Sequence, residues 1–253
     1  MTASLPMYDT TSMAAANDRF WQLISSELGE GPTRLSRTAD PWQSWTDPDL
    51  LLSQTCSLPY RLGLHSEVAL VGTPDYGLKG CPPGFYRSTI VVRSDEQRHG
   101  LAEYEGARFA RNDQRSQSGW AAIVQHLQDE GLNSQIFSDI VSTGSHAASA
   151  RAVLDQEADL AALDAVSWEI IRRENPGARR GLRVLACTRP TPGLPFITAG
   201  TRDPCPIFDA VARAIQKLAA NDRNKLMLRG IVRIPAERYL SLPMPDASAV
   251  LSN

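Results

Sequence analysis

The sequence predicts an α/β protein built as two lobes. Three observations carry that expectation. Short apolar and β-branched runs alternate with stretches of helical period. A strand–loop–helix theme recurs three times between about Ala107 and Arg173. The texture then changes at the Pro-rich segment Arg189–Pro195, as if the chain left one lobe for another. The ends, 1–91 and 192–253, are expected to form one discontinuous lobe and 92–191 the other, with crossings near Val92 and Thr191.

The elements follow in order. Ser4 to Asp9 reads as a first strand. The helix after it carries Phe20, Leu23 and Ile24 on one face and stops near Gly29. Asp47-Pro48-Asp49 has the form of a helix start, with Asp47 as cap and Pro48 in the first position, so Leu50 to Ser53 is expected to be helical. Val68 to Val71 is a buried strand, 72–84 a Gly/Pro-rich loop, and Ser88 to Val92 a β-branched strand. Strands are expected at Ala107–Ala110, Ile136–Val141, Leu160–Leu163 and Leu182–Cys187. Helices follow the first three, around Trp120–Leu127, from Ser145, and over Ala165–Arg173. Phe196–Thr198 is a short strand. The helix after Pro206 places Ile207, Phe208, Val211, Ile215 and Leu218 at a clean helical period, and the stretch from Arg229 to Asn253 ends in Pro-containing coil.

Composition narrows the function classes. The 253 residues are 42% hydrophobic and 21% charged, enough for a sizeable core. A formal net charge of -2, with no basic patch interleaved with aromatics, argues against nucleic acid as a partner. An anionic ligand would have to be recognised locally. No apolar run approaches the ~20 residues of a membrane span. The first residues have neither a basic region nor an apolar one, which reads as a soluble cytoplasmic chain. Cys56, Cys81, Cys187 and Cys205 have no zinc spacing and read as buried thiols, with a Cys56–Cys81 bridge open to an exported form. The four histidines lack ligand spacing, so no metal or cofactor is expected. Nucleophile-elbow, Walker, dinucleotide and zinc-protease motifs are absent from the sequence.

Three polar clusters follow predicted strands. The first is Asn112-Asp-Gln-Arg-Ser116-Gln117-Ser118-Gly119, before a helix whose unpaired amides and positive dipole end favour an anion. The second, Ser142-Thr143-Gly144-Ser145-His146, has the same logic, with His146 as a further donor and a group able to report pH. The third is Asp164, which either caps the next helix or accepts from a ligand N–H or P–OH. Tyr8, Gln54 and Tyr76 come from strand ends and loops of the other lobe. Each of these residues also admits a plain structural role in capping or packing.

The clusters Asp113…Ser116-Gln-Ser118-Gly119, Thr143-Gly-Ser-His146 and Ala158-Asp-Leu-Ala-Ala-Leu-Asp164 resemble the phosphate/phosphonate-type periplasmic binding proteins of ABC transporters. Tyr8-Asp9, Leu52-Ser-Gln-Thr-Cys56 and Tyr86-Arg-Ser88 add to the resemblance, which runs over roughly residues 5 to 215. It implies a type II periplasmic-binding fold with a two-stranded hinge, a periplasmic location, a monomer, and a transporter permease as partner. It implies that Ser116, Gln117 and Ser118 hold phosphoryl oxygens, joined by His146 from the second helix start; Thr143 and Ser145 stand as candidates beside them from the residues alone. Asp164 would take the ligand or its amino substituent, and Tyr8 and Tyr76 would contribute from the first lobe, with Gln54 a candidate from its place at a strand end. Family members often carry a hydroxyl residue in place of Gln117, and glycine in place of Ser57. Two alternatives stay open: an enzyme on the same fold, resting on His146 or Cys56, and a cytoplasmic sensor.

Overall fold

The computed structural model describes residues 1–38 and 40–245. The strands are β1 (Thr2–Ala3), β2 (Leu50–Gln54), β3 (Val68–Asp75), β4 (Phe85–Tyr86), β5 (Ser88–Arg93), β6 (Arg108–Arg111), β7 (Asp139–Ser142), β8 (Leu160–Asp164), β9 (Leu182–Cys187), β10 (Thr191–Pro192), β11 (Phe196–Ala199) and β12 (Gly230–Val232). The helices are α1 (Ala14–Leu28), α2 (Trp42–Trp45), α3 (Ser57–Leu62), α4 (Ala122–Asp129), α5 (His146–Leu154), α6 (Ala165–Glu174), α7 (Pro176–Gly181), α8 (Pro204–Lys217), α9 (Ala220–Leu226) and α10 (Ala236–Leu240). They form two compact units. Unit 1 comprises Met1–Phe85 and Pro192–Ser241; unit 2 comprises Tyr86–Thr191 and Leu242–Pro245.

Unit 1 holds a five-stranded sheet in the order β1-β2-β11-β3-β12. β1 pairs parallel to β2, and β11 lies antiparallel between β2 and β3. The helix expected at Leu50 is a strand. Asp47 accepts from the Asp49 amide in a tight turn, and Leu50, Leu51 and Leu52 are all fully buried. A run buried on both faces suits a central strand, and the Asp-Pro signal belongs to the turn before it. The first strand is Thr2–Ala3 and not Ser4–Asp9, because Pro6 cannot donate to a ladder. α1 packs against α8 and ends at Gly29, whose left-handed φ of 72° closes the helix.

Unit 2 holds a second five-stranded sheet in the order β7-β6-β8-β5-β9. β6 pairs parallel with β7 and β8; β5 runs antiparallel to β8 and β9. Alternate residues of its strands feed two cores. Ile90, Val92, Phe109, Leu160 and Ala162 join Trp120, Ile123 and Leu127 on one face. Val91, Ala110, Ala161 and Leu163 join Val153 and Trp168 on the other. The whole of β5 belongs to unit 2, since both its partners are there. The first crossing therefore falls at Phe85/Tyr86 and not near Val92, and the second falls at Thr191/Pro192. A third follows Ser241, so that Leu242–Pro245 belong to unit 2 and not to the lobe expected for 192–253. The crossing segments β4 and β10 pair as a two-stranded ribbon.

One further expectation shifts. The strand expected at Ile136 begins at Asp139, after a 3-10 turn over Ser134–Ile136. The stretch after Arg229 contains β12 and α10, and the coil expected at its end falls largely on 246–253, outside the described residues.

Candidate functional site

In unit 2 the three sequence clusters follow three neighbouring strands. β7, β6 and β8 run parallel and adjacent, so their carboxyl ends share one edge of the sheet. β6 ends in Arg111, opposite Ser142 at the end of β7, and β8 ends in Asp164, opposite Ser88.

The segment after β6 makes a π-helical turn, Gln117–Ala121, before α4. Its signature is the Ala121 amide donating to the Ser116 carbonyl at 3.1 Å. Such turns are rare and recur at functional sites. Ser116 is the N-cap, its Oγ accepting from the Gly119 amide at 2.9 Å. That role uses a lone pair and leaves the hydroxyl hydrogen to donate elsewhere. Ser116, Gln117 and Ser118 are all buried. A Cβ on Gly119 would sit 1.8 Å from Asn112 Oδ1, so only glycine lets the Asn112 carboxamide lie against this turn.

The segment after β7 is bound to the first one. The Thr143 amide donates to the Arg111 carbonyl and the Gly144 amide to the Asn112 carbonyl, each at 2.9 Å. Gly144 takes a φ of 84°, in the left-handed region. The Thr143 hydroxyl lies 2.7 Å from Ser149 Oγ and donates to the Arg111 carbonyl at 3.1 Å. Ser145 caps α5, accepting from the Ala148 amide. Both hydroxyls are thus engaged in shaping the loop. His146 Nε2 lies 3.1 Å from Ser118 Oγ and joins the two loops directly. Burial pushes the imidazole down to about 4, partly offset by the Ala162 backbone, so the ring is neutral at physiological pH. The expectation of a histidine poised near neutrality is corrected by that enclosure.

Asp164 is buried and caps α6, with Oδ1 accepting from the amides of Val166 at 2.7 Å and Ser167 at 3.0 Å. The capping role is therefore present. Arg111 was not singled out by sequence. It is 3% exposed, donates from Nε to Ser142 Oγ at 3.1 Å, and lies over the Trp120 ring at 4.9 Å. Burial lowers its guanidinium pKa, with Asp113 opposing, yet an arginine stays cationic there. Its signal in the sequence was a basic residue at the carboxyl end of a short strand, next to the first polar cluster.

In unit 1, Tyr8, Gln54 and Tyr76 come together. The two rings meet edge to face at 5.3 Å. Gln54 Nε2 donates to the Tyr76 hydroxyl at 3.0 Å and to the Leu194 carbonyl at 3.2 Å. This leaves a small, oriented aromatic corner at the end of β2. Cys56 stands at the N-cap position of α3 without a side-chain capping bond, and none of the four cysteines is in a disulfide, so Cys56 and Cys81 are not bridged. Among the described residues no group of acidic, Cys or His side chains could hold a metal ion, and no helix is long and apolar enough to cross a membrane.

The comparisons with known proteins agree on one architecture. XAC2383 from Xanthomonas citri, solved with chloride, superposes with a TM-score of 0.72 at 16% identity, covering 99% of this chain and 96% of its own. PhnD1 from Prochlorococcus marinus, solved with methylphosphonate, gives 0.69 at 18% identity, with 94% of each chain covered. A binding-protein component of an ABC phosphonate transporter from Pseudomonas aeruginosa gives 0.68 at 14% identity, covering 94% of this chain and 82% of its own. These likenesses show the fold, a two-lobed α/β architecture of the periplasmic-binding type. No curated protein matches the sequence. The family model for the phosphonate ABC transporter periplasmic substrate-binding protein matches residues 61–237, well over half the chain. With the strand-end clusters, that match identifies the chain as a member of the phosphonate-type substrate-binding protein family of ABC transporters.

Proposed function

We propose that the π-helical turn after β6 and the loop after β7 form the oxyanion seat of this binding protein, and that its ligand is a phosphonate or phosphate. One observation carries the reading: two helix starts on adjacent parallel strands are tied together through Ser118 and His146. Each start offers backbone amides and a positive dipole end. The buried Arg111 adds a fixed positive charge behind them. Charge-assisted hydrogen bonds contribute about 1.5–3 kcal/mol each, so three or four support micromolar affinity after the costs of association. If His146 gives its Nε2–H to Ser118 Oγ, the Ser118 hydroxyl hydrogen is released for a phosphoryl oxygen.

Asp164 would then take a ligand amine or P–OH while keeping its cap. In unit 1, Tyr8, Gln54 and Tyr76 form an aromatic corner whose chemistry suits the organic part of such a ligand. The transporter's membrane subunit is the partner in this reading, with the protein acting as a monomer. Binding is favoured over catalysis by the match to a substrate-binding protein family.

A thermal-shift panel of phosphate, phosphite, methylphosphonate, aminoethylphosphonate, sulfate and nitrate tests the proposal. A compound at about 100 times its dissociation constant stabilises by about 2.7 kcal/mol, which raises the melting temperature by several degrees. Stabilisation by a phosphonate or phosphate, lost in Ser118→Ala, is expected. No shift with any of the six refutes the oxyanion seat. Turnover of a candidate substrate, lost in His146→Ala or Cys56→Ala, would replace the binding reading with an enzymatic one.

A further inference from the structure

The seat's most buried turn is held in place from outside the three clusters. Ser88, the first residue of β5, is 1% exposed, and every polar group it has is used. Its amide donates to Thr188 Oγ1 at 3.0 Å, and its carbonyl accepts from the Thr188 amide at 3.0 Å. Its hydroxyl donates to the Ser118 carbonyl at 2.8 Å. Ser118 stands inside the π-helical turn. Thr188 is itself buried and lies shortly before the crossing at Thr191. Ser88 lies shortly after the crossing at Tyr86. A single hydrogen-bonded chain therefore runs from Thr188 through Ser88 to the Ser118 carbonyl, and from Ser118 Oγ to His146.

We infer that Ser88 is a positioning residue for anion binding: its hydroxyl fixes the Ser118 peptide and so aims the hydroxyl and amides of the turn at the bound oxygen. The inference rests on the oxyanion seat proposed above. The chemistry favours serine because the site needs one short donor in an enclosed space. Without it, the Ser118–Gly119 peptide is still held at its amide end by the bond to Ser116 Oγ but loses its anchor to β5 at the carbonyl end, which leaves it able to tilt. Tilting would turn the neighbouring amides away from the anion, and misplacing a preorganised donor weakens the charge-assisted bonds it makes.

The test is titration calorimetry with methylphosphonate and with inorganic phosphate, on wild type, Ser88→Ala, Ser88→Thr and Ser118→Ala. All are measured below their melting transitions, with circular dichroism confirming the fold. Ser88→Ala is expected to weaken the tighter of the two probes by roughly tenfold, the equivalent of one lost hydrogen bond. Ser88→Thr restores the hydroxyl and is expected to recover affinity to within about threefold of wild type, which a generic loss of packing would not do. Ser88→Ala binding as tightly as wild type overturns the inference, and so does a folded Ser88→Thr as weak as the alanine variant. If Ser118→Ala is weak while Ser88→Ala is unaffected, the seat stands and only the role of Ser88 falls. If neither probe binds wild type, or Ser118→Ala binds normally, the seat itself falls and takes this inference with it.

Discussion

Acid should destabilise this protein in a window set by His146. The imidazole is held at about 4 in the folded chain, against an ordinary 6.5 once the chain unfolds. Between those values the unfolded chain binds the extra proton and the folded chain does not. Stability therefore falls as the pH is lowered. The contribution is complete above about 6.5 and is progressively lost as the pH falls toward about 4. Between about pH 7 and pH 5 the loss works out at about 2 kcal/mol for a fully enclosed ring. The His146 side chain as a whole is only half-buried, which trims the figure to on the order of 1–2 kcal/mol. For a chain of this size that corresponds to roughly 2–8 °C in melting temperature. The assay is calorimetric melting across that range for wild type and His146→Asn, taking the difference between the two so that other titrating groups cancel. Wild type should lose more stability than the variant on acidification. Parallel curves would refute the argument that burial keeps this imidazole neutral.

Three other outcomes follow from the packing. Asp164→Ala removes the acceptor for two α6 amides and should cost about 1–2 kcal/mol in denaturant melts, while Asp164→Asn keeps an acceptor oxygen and should cost less. If Asp164 also meets a ligand amine, the Asn variant should bind aminoethylphosphonate no better than methylphosphonate by calorimetry. Thr73→Val deletes the partner, 2.5 Å away, of the fully buried Tyr239 hydroxyl and should cost about 1–3 kcal/mol; adding Tyr239→Phe should recover part of it. Gly200→Ala would put a Cβ 2.7 Å from the Glu67 carbonyl oxygen, a backbone atom that cannot swing aside, and should lower stability by about 1–3 kcal/mol.

Much of unit 2 was legible because its signals are local. Strand, polar turn and helix follow each other in sequence, and Leu182–Cys187 needs no neighbour to be read as a strand. Helix caps such as Ser145 and Asp164 announce themselves by residue type. Unit 1 was harder, since its sheet is assembled from distant pieces. Leu50–Gln54 carries a helix-start signal in front of it, and only pairing with β1 and with β11, almost 150 residues later, makes it a strand. The site was legible where polar residues cluster after a strand. It was not legible where one residue acts alone. Arg111 and Ser88 gain their meaning from burial and from partners remote in sequence, and the neutral state of His146 follows from enclosure that no spacing encodes. Tyr8, Gln54 and Tyr76 are scattered in sequence and were carried by a resemblance; their contact is a product of folding.

The position of β11 also bears on how the protein is made. All five strands of the unit 2 sheet have been synthesised once the chain reaches Cys187, whereas the middle strand of the unit 1 sheet is Phe196–Ala199. During translation, the amino-terminal segment carries β2 and β3 with a gap between them, each presenting the edge that β11 will later fill. Exposed edges of that kind invite association with other chains. The unit 2 sheet can therefore form on the ribosome while the segment made before it waits, and a nascent chain arrested before Phe196 would be most vulnerable to aggregation through its oldest residues.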